Sequence, residues 1–218
     1  TFFKEKNFLN VISHGTKLLE QEPDNYEIIR ILGITSIHTQ NFFEAENYFK
    51  KLLLFEKNSD NYYTLGNIQK KINKFQDAIL SFENSLKINP NFSEAHNNLG
   101  NTKKKLGKKE EAIFHYKKAI SLKKNNIAAL INLSIILKEY NNYEELIKIY
   151  EKILSLDSKN IKTLYNLGTA HLFLGNTLKA RECFENTIKI DKYHIPSFRN
   201  YVSTIKIENL NKIFKIFK

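Results

Sequence analysis

Residues 93–126 read SEAHNNLGNTKKKLGKKEEAIFHYKKAISLKKNN, and residues 127–160 read IAALINLSIILKEYNNYEELIKIYEKILSLDSKN. Laid one on the other, His96 falls on Leu130, Leu99 on Leu133, Gly100 on Ser134, Ala112 on Leu146 and Tyr116 on Tyr150. The frame extends outward. Leu65, Leu99, Leu133, Leu167 and Tyr201 follow at intervals of 34, and Leu32 lies 33 before Leu65. Full units therefore run 26–58, 59–92, 93–126, 127–160 and 161–194, with partial units at 1–25 and 195–218. With Ser93 as position 1, the apolar face is expected at positions 4, 7, 8 and 11. At about 100° per residue these lie on one side of a first helix, helix A. Positions 20, 24 and 27 mark one face of a second, helix B. Gly or Ser at position 8 lets a neighbouring helix come close, and polar turns such as 106–109 and 174–176 join the two. No unit buries its apolar face alone; stacked units share a continuous core. The reading is all-α, a single array over 1–218.

In full, the unit at 59 has Tyr62-x2-Leu65-Gly66, Ala78-x3-Phe82 and Pro90; those at 26 and 161 have Ile29-x2-Leu32-Gly33 with Ala45-x3-Phe49, and Leu164-x2-Leu167-Gly168 with Ala180-x3-Phe184. This resembles the tetratricopeptide repeat (TPR) family, whose pattern is aromatic-x2-Leu-Gly-x2-Tyr, Ala-x3-Phe, Pro at a period of 34. The resemblance covers essentially the whole chain. It departs at position 4, mostly aliphatic or His here, and at position 32, where only Pro23 and Pro90 occur. The resemblance implies a right-handed superhelical α-solenoid of antiparallel helix pairs. It also implies a concave groove lined by the second face of helix A, binding a protein or peptide partner.

On that face, positions 2, 6, 9 and 13 cluster. Position 6 supplies Asn98, Asn132, Asn166 and Asn200 in four consecutive units; position 9 adds Asn67, Asn101 and Thr169; position 13 adds Lys71, Lys105 and Phe173. An Asn side chain offers a donor and an acceptor to a peptide backbone. The column is similar to the Asn ladder in the TPR arm of O-linked N-acetylglucosaminyl transferases. It reads equally as an ordinary feature of a repeat in an Asn-rich chain. Lys70, Lys104, Lys138 and Lys206 at position 12 form a basic flank, read either as a solvated face or as a site for acidic segments. A carboxylate clamp of the chaperone-binding kind is not supported. Asn101, Asn132 and Lys162 match it, but Asn97 and Asn166 stand where cations are needed.

Composition narrows the rest. The 218 residues are 42% hydrophobic and 26% charged, enough for a folded core. Seven Gly and three Pro argue against a turn-rich β fold, and one Cys excludes a disulfide framework. The net charge of +11 invites a nucleic-acid reading, strongest over residues 93–126 with nine Lys against three Glu. Only three basic residues are Arg, however, and 27 Asn and 27 Ile point to AT-rich codons as a source of the Lys excess. Nucleic acid therefore ranks last among partners, with no aromatic-interleaved basic stripe to recommend it. No apolar run is long enough for a membrane span.

No catalytic constellation, metal site or cofactor motif emerges. Gly100 to Lys108 has six residues between its glycines instead of the four of a phosphate loop. His96 falls at a core position and Cys183 beside Phe184 has no base suggested for it. Two functions remain. The first is a non-enzymatic scaffold binding an extended peptide or partner helix. The second is a substrate-recruiting arm of a larger glycosyltransferase or sulfotransferase, with its catalysis elsewhere. The chain lacks an initial Met, and its last residues, 212–217, are too apolar for a polar cap, so the native protein is expected to continue in both directions. A cytoplasmic location is the expectation. Partner identity, cellular process and oligomeric state stay open.

Overall fold

The computed structural model describes residues 7–205. Among them are twelve helices and no strand. The chain divides into two units, 1–124 and 125–218. The first holds α1 (Phe8–Gln21) and three hairpins: α2 (Tyr26–His38) with α3 (Phe42–Phe55), α4 (Ser59–Lys71) with α5 (Phe75–Ile88), and α6 (Ser93–Lys105) with α7 (Lys109–Leu122). The second holds α8 (Ile127–Glu139) with α9 (Tyr143–Leu156), α10 (Ile161–Phe173) with α11 (Thr177–Ile190), and α12 (Ile195–Ser203). Residues 1–6 and the stretch from Lys206, including 212–217, lie outside the described residues.

Asparagine starts many of these helices. Asn25, Asn41, Asn58, Asn126, Asn142 and Asn160 each accept, through the side chain, an N–H three residues on. Each satisfies one of the orphan donors of a helix N-terminus, worth about 1 kcal/mol. Capping thus accounts for six of the chain's 27 Asn. Within each hairpin one residue turns into the left-handed region: Gln40, Asn73, Gly107, Asn141 and Gly175, with φ between 54° and 78°. The chain reverses there through a backbone bond, as from Lys108 N–H to the Lys103 carbonyl at 3.0 Å.

The core follows the repeat. Positions 20 and 24 are buried in all five full units, from Ala45 and Phe49 to Ala180 and Phe184. A ring of this size contributes about 1.5–3 kcal/mol by burial. Position 8 is small because the ring at position 24 of the same hairpin occupies its space. A Cβ on Gly100 would stand 2.7 Å from Tyr116 Cε1, and one on Gly168 2.6 Å from Phe184 Cε1. Position 7 of the next unit closes the core: Leu65 joins the cluster of Ile29, Ala45 and Phe49, and Leu99 that of Ala78 and Phe82. Positions 3 and 10, not expected in the core, are buried too, as Ala95, Ala129, Thr102 and Ile136 show. Many of these residues are small or polar and carry little hydropathy signal.

Three joints between repeats carry polar contacts, and the three differ. Glu46 on α3 is almost completely buried and is met by Lys74 at 2.6 Å, Lys50 at 2.7 Å and Gln69 Nε2 at 3.4 Å. Burial raises its pKa, but Lys50, Lys74 and Gln69 outweigh that and hold the carboxylate below the usual range. Ser81 donates to the other end of Gln69 at 2.7 Å. At the next joint Lys103, also buried, reaches Glu111 at 2.5 Å and Glu83 at 3.4 Å. In the second unit the Arg181 guanidinium bonds the hydroxyl and carbonyl of Thr204.

Candidate functional site

In the first unit the expected groove residues form a connected set. Asn98 on α6 donates its amide N–H groups to Asn67 Oδ1 at 2.9 Å and to the Tyr63 hydroxyl at 3.0 Å, both on α4. Lys70 donates to Asn98 Oδ1 at 3.4 Å. Tyr63 is itself packed against Phe92, ring centroids 4.7 Å apart. Desolvation, then the charge of neighbouring Lys71, lowers the pKa of Lys70. Asn101 Oδ1 accepts from the Tyr116 hydroxyl at 2.8 Å, so the aromatic core ring aims this amide. The amide nitrogens of Asn67 and Asn101 enter no hydrogen bond among the described residues. Lys71 and Lys105 are exposed, and Lys104 is half-buried.

The second unit is different in character. A cleft of about 620 Å³ opens between α8, α9 and α10, lined by Ile131 and Ile135, by Tyr150 and Ile153, and by Lys138, Lys162 and Asn166 among others. Two expected residues, Asn166 and Lys138, come together there. Asn132 and Asn200 are half-buried on α8 and α12. Thr169 donates its hydroxyl to the Tyr165 carbonyl at 3.0 Å, leaving it an acceptor only. Phe173 stacks on Tyr143 at the hairpin end, centroids 4.6 Å apart and rings 7° from parallel. Lys206 lies outside the described residues.

Sequence reasoning passed over Tyr63 and Ile131. Both sit at position 5, one residue before the Asn column, and reading that column as a set would have found them.

The remaining reactive side chains have structural surroundings. His96 and His115 stack and share a hydrogen bond between their Nδ1 atoms at 3.1 Å, and the other His96 nitrogen meets the Pro90 carbonyl at 3.1 Å. Since only an N–H can meet that carbonyl, His96 Nδ1 is the acceptor and His115 Nδ1 the donor. Desolvation first, then the neighbouring His96 and Lys103, pushes His115 down to about 4, so both rings are neutral at pH 7. Burial, with Glu182 and Glu151, pushes the Cys183 thiol up to about 11 and keeps it protonated. Among the described residues no group of three or more His, Cys, Asp or Glu is placed to hold a metal, and no helix is long and apolar enough to cross a membrane.

Tetratricopeptide repeat models match residues 59–92 and 93–126, and again 127–160 and 161–194, which is more than half of the chain without a gap. No curated protein matches the sequence. Among solved structures, MamA has 25% identity and a TM-score of 0.69 over 74% of this chain and 95% of its own. YrrB, described as a TPR protein with an unusual peptide-binding site, is 20% identical, with a TM-score of 0.69 over 85% of this chain and 96% of its own. The C-terminal part of a TPR repeat-containing protein from Cytophaga hutchinsonii is 15% identical, with a TM-score of 0.79 over 95% of this chain and 87% of its own. The matched boundaries coincide with the repeat frame of the sequence, and the packing of positions 7, 8, 20 and 24 gives that frame its physical cause: this chain belongs to the tetratricopeptide repeat family.

Proposed function

We propose that this chain is a non-enzymatic scaffold that holds an extended peptide or a partner helix along the inner faces of its A helices. The observation that carries the reading is the Asn67–Asn98 amide pair at 2.9 Å. It joins successive repeats and leaves the Asn67 nitrogen, with that of Asn101, as donors for a peptide carbonyl. Asn98, at position 6 of the first unit, has its amide engaged by Asn67, Tyr63 and Lys70; Asn132, Asn166 and Asn200, at position 6 in the second unit, take the peptide-facing role there. A backbone-directed grip of this kind takes many sequences, and side-chain contacts beside it then choose among them. The peptide-binding site of YrrB, a protein of the same fold, supports the reading by analogy.

The test is binding of an arrayed library of unstructured peptides to the full chain and to two double variants, Asn67→Ala/Asn101→Ala and Asn132→Ala/Asn166→Ala. Loss of about 1–3 kcal/mol of affinity in each is expected for buried backbone hydrogen bonds. Equal affinity of both variants and the parent chain for every bound peptide would refute the Asn grip.

A further inference from the structure

The cleft of the second unit sets an apolar strip beside cations. Ile131 and Ile135 are four residues apart on α8, so they stand one above the other on the same face. Each leaves about two-fifths of its surface exposed, although its helix neighbours Leu130, Leu133 and Ile136 are buried. They are therefore an apolar strip that the fold itself does not cover. Behind them Tyr150 and Ile153 close the floor. Lys138 continues the same face, three residues beyond Ile135, and Lys162 rises from α10 across the cleft. Both cations are exposed, and neither forms an ion pair among the described residues. Glu139, also at the rim, has an interaction of its own.

We infer that this cleft binds a peptide segment carrying an aliphatic side chain with a carboxylate two residues away. The inference rests on the groove reading above and names the chemistry of its occupant. The spacing follows from geometry. In an extended peptide, residues two apart share a face and lie about 6.6 Å apart. Along α8, Lys138 lies about 4.5 Å beyond Ile135 and about 10 Å beyond Ile131. An aliphatic side chain over the two isoleucines thus sets its neighbouring carboxylate within reach of the Lys138 ammonium. Lys162, on the opposite wall, offers the same charge to the segment. Two ammonium groups against the single Glu139 carboxylate at the rim favour an acidic segment over a basic one. Asn166 beside the strip supplies the backbone contact.

The experiment is selection of unstructured peptides displayed on phage against the full chain, followed by fluorescence polarisation of a selected peptide at low and high salt. Two variants accompany it, Lys138→Glu/Lys162→Glu and Ile131→Ser/Ile135→Ser. All four positions are exposed, and circular dichroism melting checks that each variant folds. The expected result is enrichment of an aliphatic-x-acidic pattern. The selected peptide loses about tenfold in affinity to either variant, and changing its acidic residue to Lys restores binding to the Glu variant. Peptides that bind with no such pattern, and equally well to both variants, overturn this inference and leave the groove reading standing. A selection that yields no binding peptide overturns both.

Discussion

Gly100→Ala sets two well-known effects against each other. Replacing Gly by Ala inside a helix stabilises by about 1 kcal/mol through propensity alone. Here the new Cβ would stand 2.7 and 2.9 Å from two ring carbons of Tyr116 and 3.2 Å from the Ala112 carbonyl oxygen. The ring cannot easily swing away. It is fully buried, and its hydroxyl is held by Asn101 at 2.8 Å, a bond worth about 1 kcal/mol. The carbonyl belongs to the helix backbone and cannot yield without moving α7. Overpacking of this kind costs about 1–3 kcal/mol, and loss of the Tyr116 bond adds to it. The net result is a loss of about 1–2 kcal/mol in spite of the better helix former. Urea unfolding followed by circular dichroism measures it, in a cycle with Tyr116→Leu. With the ring removed, Gly100→Ala becomes neutral or stabilising. If Gly100→Ala raises the unfolding midpoint while Tyr116 is present, the hairpin relaxes around a Cβ and the steric account of position 8 is wrong.

Three other outcomes follow from the same structure. His115 has a folded pKa near 4, below its unfolded value of 6.5, so its contribution is intact above pH 6.5 and is lost as the pH falls from 6.5 to about 4. Discounted for partial exposure, the loss is about 1–2 kcal/mol; comparing urea midpoints at both ends of that window should show a smaller drop in His115→Asn than in the parent. Lys74→Met takes away the 2.6 Å partner of the buried Glu46 carboxylate and should destabilise the first unit by about 1–3 kcal/mol, while Lys74→Met/Glu46→Gln recovers part of the loss; equal midpoints for the single variant and the parent would show that Lys50 suffices. Asn58→Ala removes the 2.8 Å cap on the Asn61 N–H and should cost about 1 kcal/mol by thermal melting, whereas Asn58→Ser should cost little.

The fold was legible because its signal is apolar and periodic. Leu99, Ala112 and Tyr116 each recur, and their spacing alone gives two helices per unit. The joints were not legible for the opposite reason. Gln69 and Lys103 stand at position 11, which the pattern marks as apolar, and are buried with polar partners on the preceding repeat, Glu46 and Glu83, that carry no periodic signal. Asparagine shows a further limit. Asn58 and Asn98 look alike in the sequence, yet one caps a helix and the other ties two repeats together. Position in the unit separates them only once the helix starts are known. The second face of helix A names the proposed groove residues, but the aiming of Asn101 by Tyr116 depends on a contact across the hairpin that no spacing rule contains.

A chain of segments built on one pattern carries a hazard of its own: the apolar strip of one A helix resembles that of the next. Swapped or skipped pairings, within one chain or between chains made on the same message, bury much the same hydrocarbon as correct ones. The dissimilar polar joints work against this. Out of order, the Glu46 carboxylate would lack Lys74, Lys103 would lack Glu83, and Arg181 would lack the Thr204 carbonyl. Lys50 and Glu111, on the same hairpins, would stay with Glu46 and Lys103, so each wrong pairing loses one partner of a polar set, about 1–3 kcal/mol. These three joints thus weigh against shuffled pairings, and a consensus version with the positions made uniform should lose that bias.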